Sequence, residues 1–490
     1  MAKRSKKRSQ WLSFLSIIFL AACQPTPTGN TATPSPLATD TPAPSLTATP
    51  DAGTLLGVKS EALRGTKIQV WTPWFGVEQN LFNSQVQLFN QANEWGIVVQ
   101  ATSQINYTQL YENTTAAFPT ADHPQLVVAF PEHALEWDAS GFVTNLNDYI
   151  NDPQYGFTGS DVTDFVPVFW TQDSFGGRRV AVPAERSARF LLYNKTWAQE
   201  LGFDNAPRTA AEFRQQACRA HQAMQLSPDK ANYPLGGWVV DTNPIATLSR
   251  LNNDQPLDWS SLINDSNAMT ALSWMIAFGG GVLEGNDYRF LTPRNIASFT
   301  FVKQLYDDGC AWAPQPNSDL QAIFAGRKAI FATAGLEELS GYARAMASAN
   351  NADQWTVLSF PGDIQTGLVS YGSSYVVLNS TPEQQLASWL FVRWMLTPQN
   401  QKTWVETIGL FPLRTSSLAL LDDYQKGHPQ WAAALALLPQ AQIQPQLASW
   451  RKVRVMLGDG FDSMFRLNIP AGQVSSILAQ MESTSRDLSK

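Results

Sequence analysis

Two tryptophans, Trp71 and Trp74, stand three positions apart in the pattern W-x-x-W. An indole ring offers a flat apolar face with one polar N–H at its edge, a surface on which a polar molecule with C–H faces can stack. Pro73 between them opposes a continued strand and favours an ordered loop. The same rings could instead pack that loop against the next helix. Phe130-Pro131-Glu132 closes a strand, and Glu132 either accepts hydrogen bonds from ligand hydroxyls or sits solvated at a helix start, where negative charge is favourable. Ala334-Gly335 and Tyr371-Gly372-Ser373-Ser374 fall at junctions of strands and helices. Their backbone N–H groups suit a hydroxyl or an anion, with a bare turn as the alternative. The chain holds 17 Trp, 12 Tyr and 26 Phe but only 15% charged residues. Core packing absorbs most of these rings, and the tryptophan excess fits stacking on polar ligands.

Catalytic signatures are sparse. His123, His133, His221 and His428 occur in no H-E-x-x-H or comparable ligand spacing, so neither a metal nor another cofactor is expected. There is no G-x-S-x-G elbow and no P-loop. A glycosidase needs only two carboxylates, so a surface glycoside hydrolase or a lectin-like protein stays open as a second reading. A net charge of −7 without a basic stripe speaks against nucleic-acid binding.

The N-terminus reads as an export signal. Lys3, Arg4, Lys6, Lys7 and Arg8 precede an apolar run from Trp11 to Ala22, too short for a membrane-spanning helix. Residues 1–22 are therefore expected to be a signal peptide. Leu20-Ala21-Ala22-Cys23 resembles the lipobox of bacterial lipoproteins, which makes Cys23 the lipidated residue and the membrane a partner through that anchor. Residues 23–60 are expected to form a disordered tether, because the Thr/Pro-rich stretch has too few large apolar groups to offset the entropy of ordering. Localisation follows as exported and anchored to the outer face of the cell membrane, in a periplasm or at a cell surface. In that setting Cys218 and Cys310 are expected to form a disulfide.

The elements that must position these residues alternate. Strand patterns at 67–71, 97–101 and 126–130 are separated by helical spacing at 79–93 and 107–117 and followed by a helix at 133–139, which implies βαβ units and a mostly parallel sheet. Helical stretches dominate 207–224, 266–278 and 295–307. Strands return at 329–333, 355–359 and 374–378, and helices at 383–396 and 398–409. The expected organisation is a first lobe over 61–185, a helix-rich second lobe over 186–328, a return to the first lobe over 329–380, and C-terminal helices over 381–490 that mainly complete the second lobe.

In their order and spacing, several segments resemble the extracellular solute-binding proteins of the sugar and glycerol-3-phosphate uptake class, relatives of the maltose-binding protein. They are VWTPW (70–74), QLFNQAN (87–93), GFVTNLNDYI (141–150), VAVPAERSARFLLYNKTWAQELG (180–202), RTAAEF (208–213), FAGRKAIFATAGL (324–336), WLFVRWMLTPQNQKTW (389–404) and GLFPLR (409–414). The resemblance implies an α/β, two-lobe periplasmic-binding-protein fold of type II-like form, closing about a hinge of crossing segments. It implies a monomer that captures a small molecule, a mono- or oligosaccharide foremost, and delivers it to ABC transporter permease subunits. A ligand sensor for a membrane kinase would use the same physics. The resemblance adds Tyr107, Ser187 and Trp238 as ligand-contacting candidates, the last on the loop Gly236-Gly237-Trp238. It also sets Gln446 where glycerol-3-phosphate binders hold phosphate with an arginine, which favours a neutral sugar, although a shift of a few residues would bring Arg451 there. Arg186 is read as pairing with Glu185 or with the ligand.

Overall fold

The computed structural model describes residues 54–120, 122–226, 236–241, 260–314 and 318–490, all within one compact unit. The leader, Cys23 and the tether up to residue 53 lie outside the described residues. Residues 54–60, placed in the tether by the expected boundary at 61, pack on the first lobe. Thr54 Oγ1 and the Leu55 N–H both donate to Asp152 at 2.7 Å, and Val58 and Leu63 are buried.

The first sheet grows from alternation. In β1 (Lys67–Thr72), Ile68, Val70 and Thr72 turn inward while Lys67 and Gln69 face solvent. The chain continues through α1 (Gly76–Ala92), β2 (Val98–Ser103), α2 (Tyr107–Ala117), β3 (Leu126–Ala129) and α3 (Pro131–Ala139). β3 is buried on both faces: Leu126 and Val128 join the core beneath α1, and Val127 and Ala129 join a second cluster with Leu110 and Trp137. The short β4 (Val182–Pro183) then leads directly into β5 (Ser187–Asn194), whose eight residues are all buried.

β5 belongs to a different sheet. Its neighbours are β6 (Gly236–Val239), β7 (Ala311–Trp312), β8 (Ala329–Gly335), β9 (Trp355–Leu358) and β10 (Ser370–Tyr371). The order is β7-β6-β8-β5-β9, with β10 also pairing with β5. The last strand, β11 (Ser374–Val377), returns to the first sheet, whose order is β2-β1-β3-β11-β4. In both sheets the fourth strand runs antiparallel to the third. Both of these strands, β5 and β11, are entered straight from the other sheet. A strand arriving across the gap starts at the edge where the parallel strands finish, so it must run against them.

Helices α4 (Ala210–Gln225), α5 (Ser260–Ala277) and α6 (Pro293–Asp307) build the second lobe. Cys218 on α4 is bonded to Cys310, with Cα atoms 4.5 Å apart, which ties α4 to the outer strand β7. Two expected boundaries are corrected. The segment 329–380 does not return whole to the first lobe: β8, β9 and β10 pair in the second sheet and only β11 crosses back. The C-terminal helices are also divided. α7 (Pro382–Met395) packs on β1 and β11, and α8 (Pro398–Ile408) packs on α1, all in the first lobe. α9 (Pro429–Leu437) packs on β9, while α10 (Trp450–Asp462) and α11 (Val474–Leu488) join the second-lobe core. Apolar spacing specifies a strand or a helix, but the sheet that receives it depends on long-range pairing.

Candidate ligand-binding cleft

The parallel strands of both sheets end at the gap between the lobes, which is where open α/β sheets place ligands. Two short crossings span it: Glu185-Arg186 between β4 and β5, and Gly372-Ser373 between β10 and β11. Gly372 has φ +144°, and a Cβ there would lie 2.2 Å from the Glu185 carbonyl oxygen, so the two crossings touch only because this residue has no side chain.

Glu185 is the first focus. Its carboxyl accepts from Tyr107 Oη at 2.8 Å, Ser373 Oγ at 3.0 Å and Trp74 Nε1 at 3.2 Å. These donors come from the turn after β2, the second crossing and the loop after β1. That loop is tied down by Ser103 Oγ, which donates to the Trp74 carbonyl. Tyr107 opens α2 behind Asn106, whose side chain caps the helix by accepting from the Gln109 N–H at 2.8 Å. Just before it, Ile105 sits at φ +71°, a left-handed conformation costly for a β-branched residue. The backbone strain falls at the turn that aims Tyr107, as strain often does beside functional groups.

Glu337 is the second focus, in the single helical turn after β8. It accepts from Ser187 Oγ at 2.6 Å and Tyr371 Oη at 2.9 Å, and Ser187 Oγ in turn accepts from the Leu336 N–H at 3.1 Å. A Cβ on Gly335 would lie 2.2 Å from Glu337 Oε1 and 2.4 Å from Tyr371 Oη, so this glycine also keeps the cluster open. Glu78, in the first turn of α1, completes the set. Burial, then the charges of Glu185 and Glu337, pushes its pKa up to about 8. Withdrawal from water also raises the pKa of Glu185 and of Glu337, and Glu338 adds to the rise at Glu337.

Of the residues singled out in the sequence, Trp74, Tyr107, Ser187, Gly335, Tyr371, Gly372 and Ser373 come together around these carboxyls. Three do not. Trp71 is half-buried against the cluster of Leu110, Val127 and Trp137. Glu132 is buried and ion-paired with Arg454, neither solvated nor facing the gap as a free acceptor. Trp238 is fully buried among Phe213, Trp274 and Phe465, because β6 is an interior strand covered on both faces. The Gly335 N–H is taken by Glu338. Arg186 does not pair with the Glu185 carboxyl; its guanidinium meets Asp173 at 2.8 Å and Ser374 Oγ at 3.0 Å. Gln446 donates to the carbonyls of Thr171, Gln172 and Ser174, so its amide is a structural tie.

Glu78, Glu185 and Glu337 are the residues that sequence reasoning missed. Their signal was positional: each follows a strand end by a few residues, and Glu185 lies inside the most specific segment, where it was read only as a partner for Arg186. Among the described residues, no group of three or more His, Cys, Asp or Glu could hold a metal, and no helix is long and apolar enough to cross a membrane.

Residues 84–437 match the family described as bacterial extracellular solute-binding protein, and the chain belongs to that family. The sn-glycerol-3-phosphate-binding periplasmic protein UgpB of Salmonella typhimurium is 22% identical over 376 residues, covering 74% of this chain and 78% of that protein. Among solved structures, the sugar-binding protein MalE from Xanthomonas citri superposes with a TM-score of 0.69 at 19% identity, covering 86% of this chain and 97% of its own. UgpB from Mycobacterium tuberculosis in complex with glycerophosphocholine gives 0.67 at 19% identity over 86% and 99% of the two chains. The cyclic α-maltosyl-1,6-maltose binding protein from Arthrobacter globiformis gives 0.67 at 17% identity over 86% and 98%. The two-lobe α/β fold is thus that of the periplasmic sugar-binding proteins.

Proposed function

We propose that this chain is the extracellular substrate-binding lipoprotein of an ABC importer, and that it captures a small hydroxyl-bearing ligand between its two lobes. The observation that carries this reading is the convergence of Trp74, Tyr107, Ser187, Tyr371 and Ser373 on Glu185 and Glu337. These residues come from both lobes and from both crossings, at the ends of the parallel strands. Closure would bring the two walls onto a ligand, and ligand would shift the population toward the closed form, which a permease can recognise. Cys23 and the Thr/Pro-rich stretch after it support anchoring to the outer face of the membrane by a tether. The names of UgpB and MalE support a sugar or glycerophosphate-type ligand.

A thermal-shift screen of residues 54–490 against sugars, polyols and glycerol phosphates tests the reading. Ligand at 1,000 times its dissociation constant adds about 4 kcal/mol to apparent stability, which raises the midpoint by several degrees. A rise with one chemical group, lost in Tyr107→Phe and Trp74→Ala, supports it. No rise with any ligand in a cooperatively folding sample counts against it. Labelling of the full chain by a lipid precursor, abolished in Cys23→Ser, tests the anchor.

A further inference from the structure

Resting on that reading, we infer that the captured ligand carries a positive charge: a small hydroxylated or aliphatic molecule with an ammonium group, seated against Glu78, Glu185 and Glu337. Several deep carboxylates around the gap are matched with arginine. Asp173 has Arg186, Asp241 and Glu338 share Arg189, and Glu132 has Arg454. Glu78, Glu185 and Glu337 have no such partner. The charges of Glu185 and Glu337 both act on Glu78, and among the described residues no ion pair joins a lysine or arginine to any of the three. Arg186 and Arg189 are already committed to Asp173, Asp241 and Glu338.

Solvent access is the second observation. Glu78, Glu185 and Glu337 are crowded by protein yet keep contact with solvent, whereas the donors Trp74, Tyr107, Ser187 and Ser373 are buried and Tyr371 is half-buried. These donors hold the Glu185 and Glu337 carboxyls in place. A carboxylate accepts and cannot donate, so the ionised carboxyls among these suit a group that donates and brings a positive charge, and such a charge also favours ionisation of Glu78. A phosphate or carboxylate ligand would meet like charge at all three. The preference for a neutral ligand drawn from Gln446 loses its basis, because that amide is bonded to three backbone carbonyls of the first lobe.

The test uses residues 54–490 in paired measurements by thermal shift and calorimetry. Glucosamine, mannosamine, choline, putrescine and spermidine are compared with glucose, mannose, glycerol and glycerol-3-phosphate. The expected result is binding of at least one ammonium compound at least tenfold tighter than any uncharged or anionic compound. It should weaken on raising salt from 50 to 500 mM and fall tenfold or more in Glu185→Gln and Glu337→Gln, with Glu78→Gln as the milder variant. Each variant is first shown to melt cooperatively. Response confined to uncharged or anionic compounds overturns the charge assignment and leaves the solute-binding reading standing. Silence from both groups overturns both.

Discussion

Two of the contacts between the lobes treat carboxylates in opposite ways. At the contact of α3 with α10, Glu132 pairs with Arg454, both side chains 3% exposed, and Glu136 pairs with the more open Arg451 at 3.2 Å. The guanidinium of Arg454 lies 4.4 Å from the Phe130 ring centre and that of Arg451 4.2 Å from Tyr111. At the cleft, Glu78, Glu185 and Glu337 meet hydroxyls, an indole N–H and one another, with no arginine. A buried carboxylate matched with arginine holds two surfaces together, and removing one partner is costly because the other charge is stranded. Carboxylates that repel one another hold nothing together until something else neutralises them. The first contact therefore acts as a clasp between the lobes, and the second as a site whose charge is left for a ligand to complete.

The largest expected effect is at the clasp. Arg454→Ala strands Glu132 and should cost about 3–5 kcal/mol in urea unfolding. The double variant Glu132→Gln/Arg454→Met should recover most of that loss. Equal losses in both would break the account of the clasp.

Gly372→Ala comes next. A Cβ 2.2 Å from a backbone carbonyl forces the crossings apart, and a loss of about 2–4 kcal/mol with weakened ligand binding is expected. An unchanged melt would mean that the crossings separate easily. At the cleft the sign should reverse. Glu185→Gln keeps an acceptor for Tyr107 while removing a charge that acts on Glu78, so the ligand-free domain should gain about 1 kcal/mol at pH 8.5. A loss of that size would place Glu185 with the paired carboxylates.

The pH dependence sharpens the contrast. A carboxyl whose folded pKa lies above its unfolded value binds its proton more readily in the folded state, so its contribution falls as pH rises between the two values. Glu78, at about 8 in the fold, should therefore lower the midpoint of the ligand-free domain from pH 5 to pH 8, with a flat response above that. Asp462, also raised to about 8 by burial and by Asp459, acts in the same direction. Glu78→Gln should flatten the fall between pH 5 and 8 by only its own share. The smallest effect is expected for Arg451→Ala. Its pair is partly exposed, and the change should stay within about 1 kcal/mol.

Much of the fold was legible because local patterning specified it. The helix at 107–117 and the strands near 67, 98 and 126 fall where periodicity put them. Caps also marked their helices, as where Thr209 opens α4 and accepts from the Glu212 N–H at 3.1 Å. What stayed illegible was membership. β8 and β9 read as a return to the first lobe, yet they pair beside β5 through registers such as Ala332 with Leu192 and Val357 with Leu192. Trp238 read as a stacking ring, yet two covered sheet faces made it core. The hydroxyl and aromatic side of the cleft was partly visible in W-x-x-W and Y-G-S-S, but its carboxyls were hidden among 41 acidic residues.

The sequence by itself determined the class of fold, because apolar period, caps and the family-like segments in their order are written along the chain. It also determined the export-like N-terminus and brought two cysteines into one helix-rich block. Only the tertiary structure decided which carboxylates are matched and which are left unmatched. Charge matching depends on distances between residues more than 100 positions apart, such as Trp74 and Glu185 or Ser187 and Glu337, and no local pattern encodes those distances.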